Sequence, residues 1–349
     1  MKKTFNWERL PFNVIYAPFI FLWLYYWIKS GSFWFFSNVN PTMYFSGFEG
    51  ETKSEMFEQL PPEFSPVSIC VQPSEKFENI LCKMKDAGLQ FPVAAKPDVG
   101  TKGLLFRKIE NAEQLKTYHS FLPFDYIIQA MISSPLELSI FYVRYPGNEK
   151  NMQGMITGLI AKEYLHVSGD GKSTLKQLIE NHPKAFMMAD EQKIKHKKNL
   201  SYIIPANEKY ILNELGNHNR GANFINLKNK IDEQLLNVMD EINLYSKNLY
   251  YGRYDVKTTS LEDLRQGKNI SILEYNGVGS EPNHIYDIHL TYMQAINIIA
   301  QHWKYMYEIG HINYKKGIQY IPFWKGVKMF RQSRRHTKLM KQLDLQCNI

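Results

Sequence analysis

The chain has 349 residues, of which 44% are hydrophobic and 22% are charged, and its formal net charge at pH 7 is +8. This composition is typical of a folded protein with a substantial core and excludes a largely disordered chain. The positive charge is concentrated near the carboxyl end, where residues 315–341 contain nine Lys or Arg and no Asp or Glu. Because the remainder is near neutral, the charge does not indicate a general nucleic-acid binder.

The first 48 residues are strongly apolar and aromatic. Between Arg9 and Glu49 the only charged residue is Lys29. Residues 10–28 would form a helix of ~28 Å, close to the thickness of a bilayer core. Trp and Tyr, which concentrate at membrane–water interfaces, are frequent here. We expect residues 1–48 to be a membrane-associating segment that lies in the interface, with the basic carboxyl-terminal residues reinforcing contact with an anionic leaflet.

Other interpretations of this segment differ in how well they fit the sequence. A single membrane span and an unusually aromatic core segment both fit its composition. A cleaved signal peptide does not, because no small-x-small cleavage site follows the apolar run. Three scattered cysteines, Cys70, Cys82 and Cys347, fit a reducing compartment and are interpreted as packing residues. We therefore expect the protein at the cytoplasmic face of a membrane, as a peripheral or monotopic protein.

The next region, residues 49–90, begins with a polar connector that contains several prolines. We interpret Glu51, Lys53 and Glu55 as solvated linker residues, with contact to a substrate as the alternative. The elements predicted after the connector are a strand at 67–71 and a helix at 74–87, with Ser74 as its cap and Gly88 at its end.

A lysine at the end of a predicted strand is the first chemical feature. Residues 91–96 (FPVAAK) are typical of a buried strand that ends at Lys96, and the glycine-bearing loop 97–103 follows. Such a lysine and loop can hold nucleotide phosphates, since glycine lets backbone N–H groups approach closely. Glycines in hairpin loops are common, so this pattern is weak alone. Further elements are predicted at 104–109 (strand), 111–121 (helix), 126–131, 138–144 and 152–167 (strands).

The segment GDGKST at residues 169–174 invites a P-loop interpretation, which fails because His166 stands where the first glycine of that motif belongs. We expect a turn here instead, with Lys172 exposed and Ser173 capping a helix over 173–180. A polar loop at 217–226 carries Arg220, a candidate phosphate or substrate contact. Apolar residues at helical spacing then predict a helix over 231–249. Its buried stripe is expected to consist of Ile231, Leu235, Val238, Ile242, Tyr245 and Leu249.

The stretch 250–287 predicts two strands, 250–257 and 269–276, joined by a polar loop that contains Gly267. Because successive strand residues point to opposite faces, Arg253 and Asp255 share a face, as do Glu274 and Asn276. If the strands pair, two carboxylates and an amide oxygen suited to Mg²⁺ meet an arginine suited to phosphate. A solvated polar hairpin is the alternative. A helix predicted at 286–307 closes the domain before the basic residues.

Four stretches resemble the ATP-grasp superfamily, in particular the D-alanine–D-alanine ligases and the ATP-grasp half of cyanophycin synthetases. They are FPVAAKPDVGTKG (91–103), YIIQAMISSPLELSI (126–140), VSGDGKSTLKQLI (167–179), and GRYDV with ILEYNGVGSEP (252–256 and 272–282). The resemblance implies an α+β ATP-grasp fold, in which two α+β subdomains grip ATP between antiparallel sheets. It divides the chain into the membrane-associating segment 1–48, a reduced substrate-side region 49–90, an ATP-grasp domain 91–310 and a basic tail 311–349.

Carried over to this sequence, the resemblance implies a role for each matching residue. Lys96 would bind the α- and β-phosphates, and Arg253 would stabilise the transferring phosphoryl group. The lid over the phosphates would be Gly100, Thr101, Lys102 and Gly103; Ile128, Gln129, Ala130 and Met131 would line the adenine; Glu137 would bind the ribose. Asp255, Glu274 and Asn276 would hold Mg²⁺, with Mn²⁺ as an alternative. Candidate substrate contacts are Arg220, Gly279, Ser280 and His284. A second phosphate-binding lysine is expected upstream of Lys96, with Lys76, Lys83 and Lys85 as candidates.

The implied activity is a Mg·ATP-dependent ligase that activates a carboxylate as an acyl phosphate and couples it to an amine or similar nucleophile. The implied partners are ATP, a carboxylate substrate, an amine-type acceptor and a membrane surface, without nucleic acid, and a homodimer is left open. One alternative is a phosphotransferase of the same fold, which would release a phosphorylated product. Another is a non-catalytic, membrane-docked protein that would bind ATP without consuming it.

Overall fold

The computed structural model describes residues 12–101, 103–147, 154–213, 216, 221–287 and 290–347. The chain is an α+β protein whose paired strands are antiparallel. The helices are α1 (Phe12–Tyr16), α2 (Phe19–Ser30), α3 (Lys53–Glu58), α4 (Phe77–Asp86), α5 (Ala112–Phe121), α6 (Leu175–Asn181), α7 (Ala189–Lys195), α8 (Glu233–Ser246), α9 (Leu261–Arg265), α10 (Tyr292–Lys315) and α11 (Phe323–Gln346). The strands are β1 (Ser68–Val71), β2 (Val93–Pro97), β3 (Arg107–Ile109), β4 (Tyr126–Ala130), β5 (Leu136–Val143), β6 (Met155–Glu163), β7 (His166–Ser168), β8 (Lys209–Ile211), β9 (Asn223–Asn226), β10 (Tyr251–Thr258) and β11 (Ser271–Asn276).

The chain forms two compact units. Unit 1 comprises Met1–Leu159 with Leu227–Ile349, and unit 2 comprises Ile160–Asn226. The division therefore cuts across the region 91–310 expected from the sequence, and unit 1 also takes in the described parts of the regions before and after it. The candidate site residues named above lie in unit 1, apart from Arg220.

The first sheet of unit 1, called the β2 sheet here, has the strand order β1-β4-β2-β3. One face of its strands packs into a core with α4 and α5 and includes Val93, Ala95 and Ile128. The register sets Ala94 opposite Gln129 and Lys96 opposite Ile127, so these four side chains share the other face. The strands agree with the prediction, apart from β3, which is shorter.

The helices around the β2 sheet show how well local signals work. The helix predicted at 111–121 is present as α5, and Asn111 caps it, since its side chain accepts a hydrogen bond from the backbone N–H of Gln114. The predicted cap at Ser74 is wrong, because α4 begins at Phe77 with Lys76 at the cap position. Gly88 follows the end of α4 with a φ of +70°, a conformation that glycine adopts without strain.

The second sheet, called the β10 sheet, has the order β11-β10-β5-β6 in unit 1. The register sets Arg253 opposite Asn276, and it sets Asp255 opposite both Glu274 and Ser139. Directly opposed residues of antiparallel strands project to the same face. The predicted pairing of the two strands is therefore present, and the loop between them contains α9, capped by Ser260.

Helix α8 crosses unit 1 with a different buried stripe from the predicted one. It begins at Glu233, because the side chain of Asp232 accepts a hydrogen bond from the backbone N–H of Leu235 and caps the helix. Leu235 and Ile242 are buried as expected, whereas Tyr245 is exposed and Met239 takes the buried position. The ring of Tyr245 thus lies at the edge of the buried stripe of α8.

The aromatic run after α2 belongs to the core of unit 1. Trp34, Phe35, Phe36 and Phe45 are buried in one cluster with residues of β5, β10 and α10. Asn40 fixes this run to β10, since its Oδ1 accepts from the backbone N–H groups of Tyr250 and Tyr251 at 2.8 and 3.1 Å. The aromatic-core interpretation therefore holds for this part of the segment 1–48. Among the described residues, no helix has both the length and the apolarity to cross a bilayer.

The carboxyl-terminal basic region is a folded helix. Helix α11 buries Met329 and Met340, and Asp344 forms an ion pair with Arg107 at 3.0 Å. The helix before it, α10, is displaced toward the carboxyl end relative to the predicted 286–307. The expectation that all three cysteines pack is wrong, because Cys70 and Cys82 are exposed and Cys347 alone of the three is buried.

Unit 2 has its own small core, formed by Leu165, Val167, Leu175, Ile179 and neighbouring apolar residues around β7, β8 and α6. The GDGKST segment is a turn, as expected, in which Asp170 accepts hydrogen bonds from the backbone N–H groups of Lys172 and Ser173. The cap of α6 is Thr174 with Gln177 as its capping-box partner, so the predicted cap at Ser173 is wrong. The hydrogen bonds accepted by Asp170 therefore account for the conformation of this turn.

Candidate active site

Polar side chains cover one face of the β10 sheet. The opposed pairs place Arg253, Asp255 and Lys257 of β10 on the same face as the following residues of the flanking strands: Glu137, Ser139, Glu274 and Asn276. A bulge between Asp255 and Val256 shifts the register beyond the site. A row of charges on a largely buried sheet is costly unless the charges are compensated. This face of the β10 sheet is therefore the candidate site for binding polar or charged ligands.

Arg253 and Asp255 form a two-point ion pair within this face. The guanidinium donates to Asp255 Oδ1 at 3.3 Å and to Oδ2 at 3.2 Å, and it also donates to the carbonyl of Glu281 at 3.2 Å. Burial by itself would lower the pKa of Arg253, but the charges of Asp255, Glu274 and Glu281 raise it. The guanidinium is thus held as a cation and is fixed in direction.

Ser139 extends this network and was missed by the sequence interpretation. Its hydroxyl donates to Asp255 Oδ1 at 2.8 Å and accepts from the amide of Asn283 at 2.8 Å. The alternation in LELSI carried the signal, because Glu137 and Ser139 are polar residues two apart on a strand of otherwise apolar residues. Ser139 therefore positions the carboxylate of Asp255.

Lys96 of the β2 sheet reaches the β10 sheet. Its Nζ donates to Gln129 Oε1 at 2.9 Å and to the carbonyl oxygen of Leu273 at 3.3 Å, the residue before Glu274. It also lies 5.6 Å from the ring centroid of Phe57. Burial and the nearby charge of Lys53 lower the pKa of Lys96 to about 8. The strand-end lysine and the carboxylates therefore meet at one place.

Lys53 also reaches this place, and its interpretation as a solvated linker residue is wrong. Its side chain is 12% exposed, and its Nζ lies 3.6 Å from Glu274 Oε1. A cavity of about 10 Å³ adjoins this pair and is lined by Glu51, Thr52, Lys53, Met56, Gly100, Glu274 and Tyr275. Pockets that hold drug-sized ligands measure roughly 300–1,000 Å³, so this cavity is too small for a nucleotide.

The lysines proposed earlier as the upstream partner lie on the surface. Lys76, Lys83 and Lys85 are exposed at or within α4, and Lys83 pairs with Glu75. Lys53 is the upstream lysine that the structure brings to Lys96. No local pattern in residues 49–66 marks it, because its position depends on contacts with loop 97–103 and β11, which are distant in sequence.

The glycine loop after β2 is tied down on both sides. Asp98 accepts hydrogen bonds from the backbone N–H and the hydroxyl of Ser54, at 2.8 and 2.7 Å. The carbonyl of Val99 bonds to His336 of α11 at 3.0 Å, and Leu105 donates to Asp344 at 2.9 Å. These contacts limit the predicted lid to the few residues between the anchors, including Gly100, Thr101 and Gly103. Lys102 lies outside the described residues.

The residues predicted to line an adenine divide between two faces of β4. Gln129 is buried on the same face as Lys96, and Met131 follows the strand and is exposed. Ile128 and Ala130 pack into the core on the other face, so their side chains do not line the site. The error follows from assigning consecutive strand residues to one surface. Ile127 is the apolar residue that shares the face of Gln129.

The loop after β11 packs against the turn at residues 46–48. The backbone N–H of Val278 donates to the carbonyl of Ser46, and that of Gly279 donates to the carbonyl of Gly47. Any Cβ at Gly279 would clash with the Phe48 backbone at 2.1 Å, so this glycine is required for packing. Ser280 donates to the carbonyl of Gly277. These two predicted substrate residues therefore have structural partners.

His284, predicted as a substrate contact, lies in the protein interior. It is buried against Gly158 and close to His302, and burial lowers its pKa to about 4. It is thus neutral at physiological pH. Arg220, the remaining candidate, lies outside the described residues.

The donor set fits Mg²⁺ and a nucleotide. Asp255, Glu274 and Asn276 supply carboxylate and amide oxygens, the ligands that Mg²⁺ prefers. The amide nitrogens of Gln129 and Asn276 are buried, and within the described residues neither has a hydrogen-bond partner. The described part of the chain contains no cluster of three or more His, Cys, Asp or Glu that could hold a metal. A metal ion at this face would therefore need an amide oxygen as its third ligand, which Asn276 could supply, and nothing in this donor set selects Mn²⁺.

Three solved structures similar to this chain are a synthetase and two ligases. A bifunctional glutathione synthetase from Pasteurella multocida has a TM-score of 0.42 and 14% identity, covering 72% of this chain and 36% of that one. A D-alanine–D-alanine ligase from Bacillus anthracis has a TM-score of 0.41 and 12% identity, covering 76% and 68%. The VanG D-Ala:D-Ser ligase from Enterococcus faecalis has a TM-score of 0.36 and 13% identity, covering 68% and 57%.

These likenesses are distant, and two of the three cover less than two thirds of the other protein's length. No protein-family model and no curated protein matches the sequence. The case for a function therefore rests on the geometry of the site.

Proposed function

We propose that the protein is an ATP-dependent ligase that joins a carboxylate to an amine or similar nucleophile. The observation that carries the proposal is the meeting of Lys96 with β11, where its Nζ lies 3.3 Å from the Leu273 carbonyl beside Glu274. A half-buried cation on one sheet and a row of carboxylates on the next are the groups needed to hold a nucleotide and its metal ion.

Each residue has a task in this reaction. Lys96 binds phosphate oxygens of ATP, and the unpaired amide of Gln129 donates to the nucleotide next to it. Glu137 lies on the same face as Asp255 and binds the ribose. Asp255, Glu274 and Asn276 would hold Mg²⁺, which when bound neutralises charge on the phosphates. Arg253, fixed by Asp255, stabilises the phosphoryl group during its transfer.

The chemistry proceeds in two steps. A carboxylate oxygen of the substrate forms a bond to the γ-phosphorus as the bond from that phosphorus to the β–γ bridging oxygen breaks, which releases ADP and gives an acyl phosphate. The nitrogen of the amine then bonds to the acyl carbon, phosphate leaves and the nitrogen loses a proton. The first step is needed because a free carboxylate is a poor electrophile. Lys53 stands beside Glu274 at the cavity and contacts the acid substrate or the phosphates as they arrive.

The test is product analysis with the purified full chain, Mg²⁺, ATP and pools of carboxylic acids and amines. We expect ADP and phosphate to appear when both an acid and an amine are present, together with a new amide bond identified by mass spectrometry. Glu274→Gln should abolish this turnover. Glu262→Gln, at an exposed carboxylate of α9, is the matched control and should leave it unchanged.

The same experiment distinguishes the alternatives. A stable phosphorylated product without an amide would replace the ligase with a phosphotransferase. Tight ATP binding with no consumption across the pools would leave a non-catalytic nucleotide-binding protein. Equal turnover by the wild type and Glu274→Gln would remove the proposed site itself.

A further inference from the structure

The outer side of helix α2 is apolar and exposed. Phe21, Leu24 and Ile28 recur at helical spacing, and Ile20 and Trp27 lie beside them. Phe21 is 76% exposed and Ile28 is 81% exposed. Exposed apolar residues of a soluble protein are usually scattered, whereas a contiguous row marks an interaction surface. These five residues are called the α2 face below.

The inner side of α2 is fixed to the core of unit 1. Phe19 packs against Trp303 of α10 with ring centroids 5.2 Å apart, and Tyr26 stacks on Tyr307 at 4.8 Å. The helix is therefore held in place by residues other than those of the α2 face. Its exposed side chains can be changed without removing the contacts that fold it.

The apolar surface continues to the start of α11 through aromatic contacts. The ring of Trp27 lies 5.2 Å from that of Phe33, and Phe33 lies 5.3 Å from Phe323. Phe323 in turn lies 4.9 Å from Trp324, which is 76% exposed. An exposed tryptophan thus extends the α2 face toward α11.

The helix that begins at this tryptophan is strongly basic. Its exposed side chains include Lys325, Lys328, Arg331, Arg334, Arg335, Lys338 and Lys341. The single acidic residue of α11, Asp344, is paired with Arg107. Helix α2 contains no acidic residue, and its one charged residue is Lys29. A partner of this surface must therefore cover the apolar side chains of the α2 face and carry negative charge next to them.

We propose that the α2 face and Trp324 insert into the surface of a bilayer that contains anionic lipids, while the basic residues of α11 bind the lipid headgroups. A helix of 12 residues is ~18 Å long, too short to cross a core of about 30 Å but suited to lie in the plane of the interface. Trp and Tyr at its edge suit the headgroup level. A second copy of this chain would bring a second basic helix to the contact, which like-charge repulsion disfavours.

Sedimentation of the full chain with vesicles tests this surface. The vesicles contain phosphatidylcholine alone or phosphatidylcholine mixed with phosphatidylserine. Phe21→Ser combined with Ile28→Ser should weaken vesicle binding on the order of 100-fold, because two large apolar side chains no longer enter the bilayer. The matched control is Phe186→Ser combined with Ile194→Ser, which changes two side chains of unit 2 that are 64% and 78% exposed and should leave binding unchanged.

A second variant separates the charge from the apolar contact. Lys328→Gln combined with Arg331→Gln should lower binding to the mixed vesicles by about 10-fold or more and leave binding to phosphatidylcholine alone unchanged. Thermal unfolding should show that all variants keep the wild-type fold.

Three results would overturn the proposal. The wild type could fail to bind either kind of vesicle, or the folded Phe21→Ser, Ile28→Ser variant could bind as the wild type does. A wild-type dimer in sedimentation velocity, lost in that variant and accompanied by no vesicle binding, would assign the α2 face to a second copy of the chain.

Discussion

The two sheets of unit 1 bring different kinds of charged group to the candidate site. On the β10 sheet, Arg253 and Asp255 compensate each other through two hydrogen bonds. On the β2 sheet, both hydrogen-bond acceptors of Lys96 are neutral, and its pKa falls to about 8. The comparison teaches that the charges of the β10 sheet support the fold, whereas the charge of Lys96 is held at a cost that a bound polyanion would relieve.

The largest effect should come from breaking the compensated pair. Arg253→Met removes the cation proposed to stabilise the phosphoryl group, so kcat should fall by at least ~10³-fold. It also takes the guanidinium from buried Asp255, which should lower the free energy of unfolding by about 3–5 kcal/mol. Urea unfolding and steady-state kinetics measure both. A variant with wild-type stability would contradict the role of the pair in the fold.

The matching change on the β2 sheet should separate function from stability. Lys96→Met should raise the Kd for ATP by at least ~10²-fold, since a phosphate contact is lost. At pH 7 the same change should raise the free energy of unfolding by about 1–3 kcal/mol, because a partly desolvated charge is removed.

The size of this stability difference depends on pH. The folded-state pKa of Lys96 lies below the ordinary lysine value of 10.5, so the unfolded chain binds the proton more tightly between pH 8 and 10.5. Wild-type stability then rises with pH in that window, and the advantage of Lys96→Met should narrow. Denaturant titrations at several pH values measure it, and a difference that widens above pH 8 would refute the assignment.

The charge of Lys96 should also limit activity at high pH. In the free enzyme, kcat/KM for ATP should fall as the pH rises through about 8, where Lys96 loses its proton. Lys53→Gln removes the neighbouring cation that lowers this pKa, so the falling limb should move to higher pH. The pH–rate profiles of both proteins provide the measurement, and identical limbs would exclude Lys53 as a cause.

The smallest effect should come from a positioning residue of the β10 sheet. Ser139→Ala removes one donor to Asp255 and one acceptor for Asn283, which should cost about 1–2 kcal/mol of stability. The Mg²⁺ concentration for half-maximal activity should rise on the order of 10-fold, because Asp255 is less well oriented. Ser120→Ala, an exposed serine of α5, is the control. An unchanged Mg²⁺ requirement would limit Ser139 to packing.

The hairpin and its chemistry could be predicted from the sequence because strand alternation is a local property. Arg253, Asp255, Glu274 and Asn276 share a face for that reason. The interpretation of Ile128 was wrong because it treated consecutive residues of β4 as one surface and ignored this alternation. Lys53 could not be predicted, since the contacts that bring it to Glu274 join residues far apart in the chain.

The aromatic run after α2 shows a second limit of prediction from the sequence. Trp34, Phe35 and Phe36 have the composition of an interfacial segment, yet they fill the core beneath β10. Composition records that these side chains avoid water, and it does not record whether lipid or protein covers them. Burial could be assigned only once the partners on α10 and β10 were known. Membrane association of this segment stays a proposal, which rests on the exposed apolar side chains of α2.

Two hydrogen bonds from Ser54 to Asp98 join α3 to the glycine loop, next to a cavity smaller than a nucleotide. If ATP binds there as proposed, these hydrogen bonds must break before it enters. In stopped-flow mixing, the observed rate should climb with nucleotide concentration and then level off at the speed of release, and Ser54→Ala should lift that plateau.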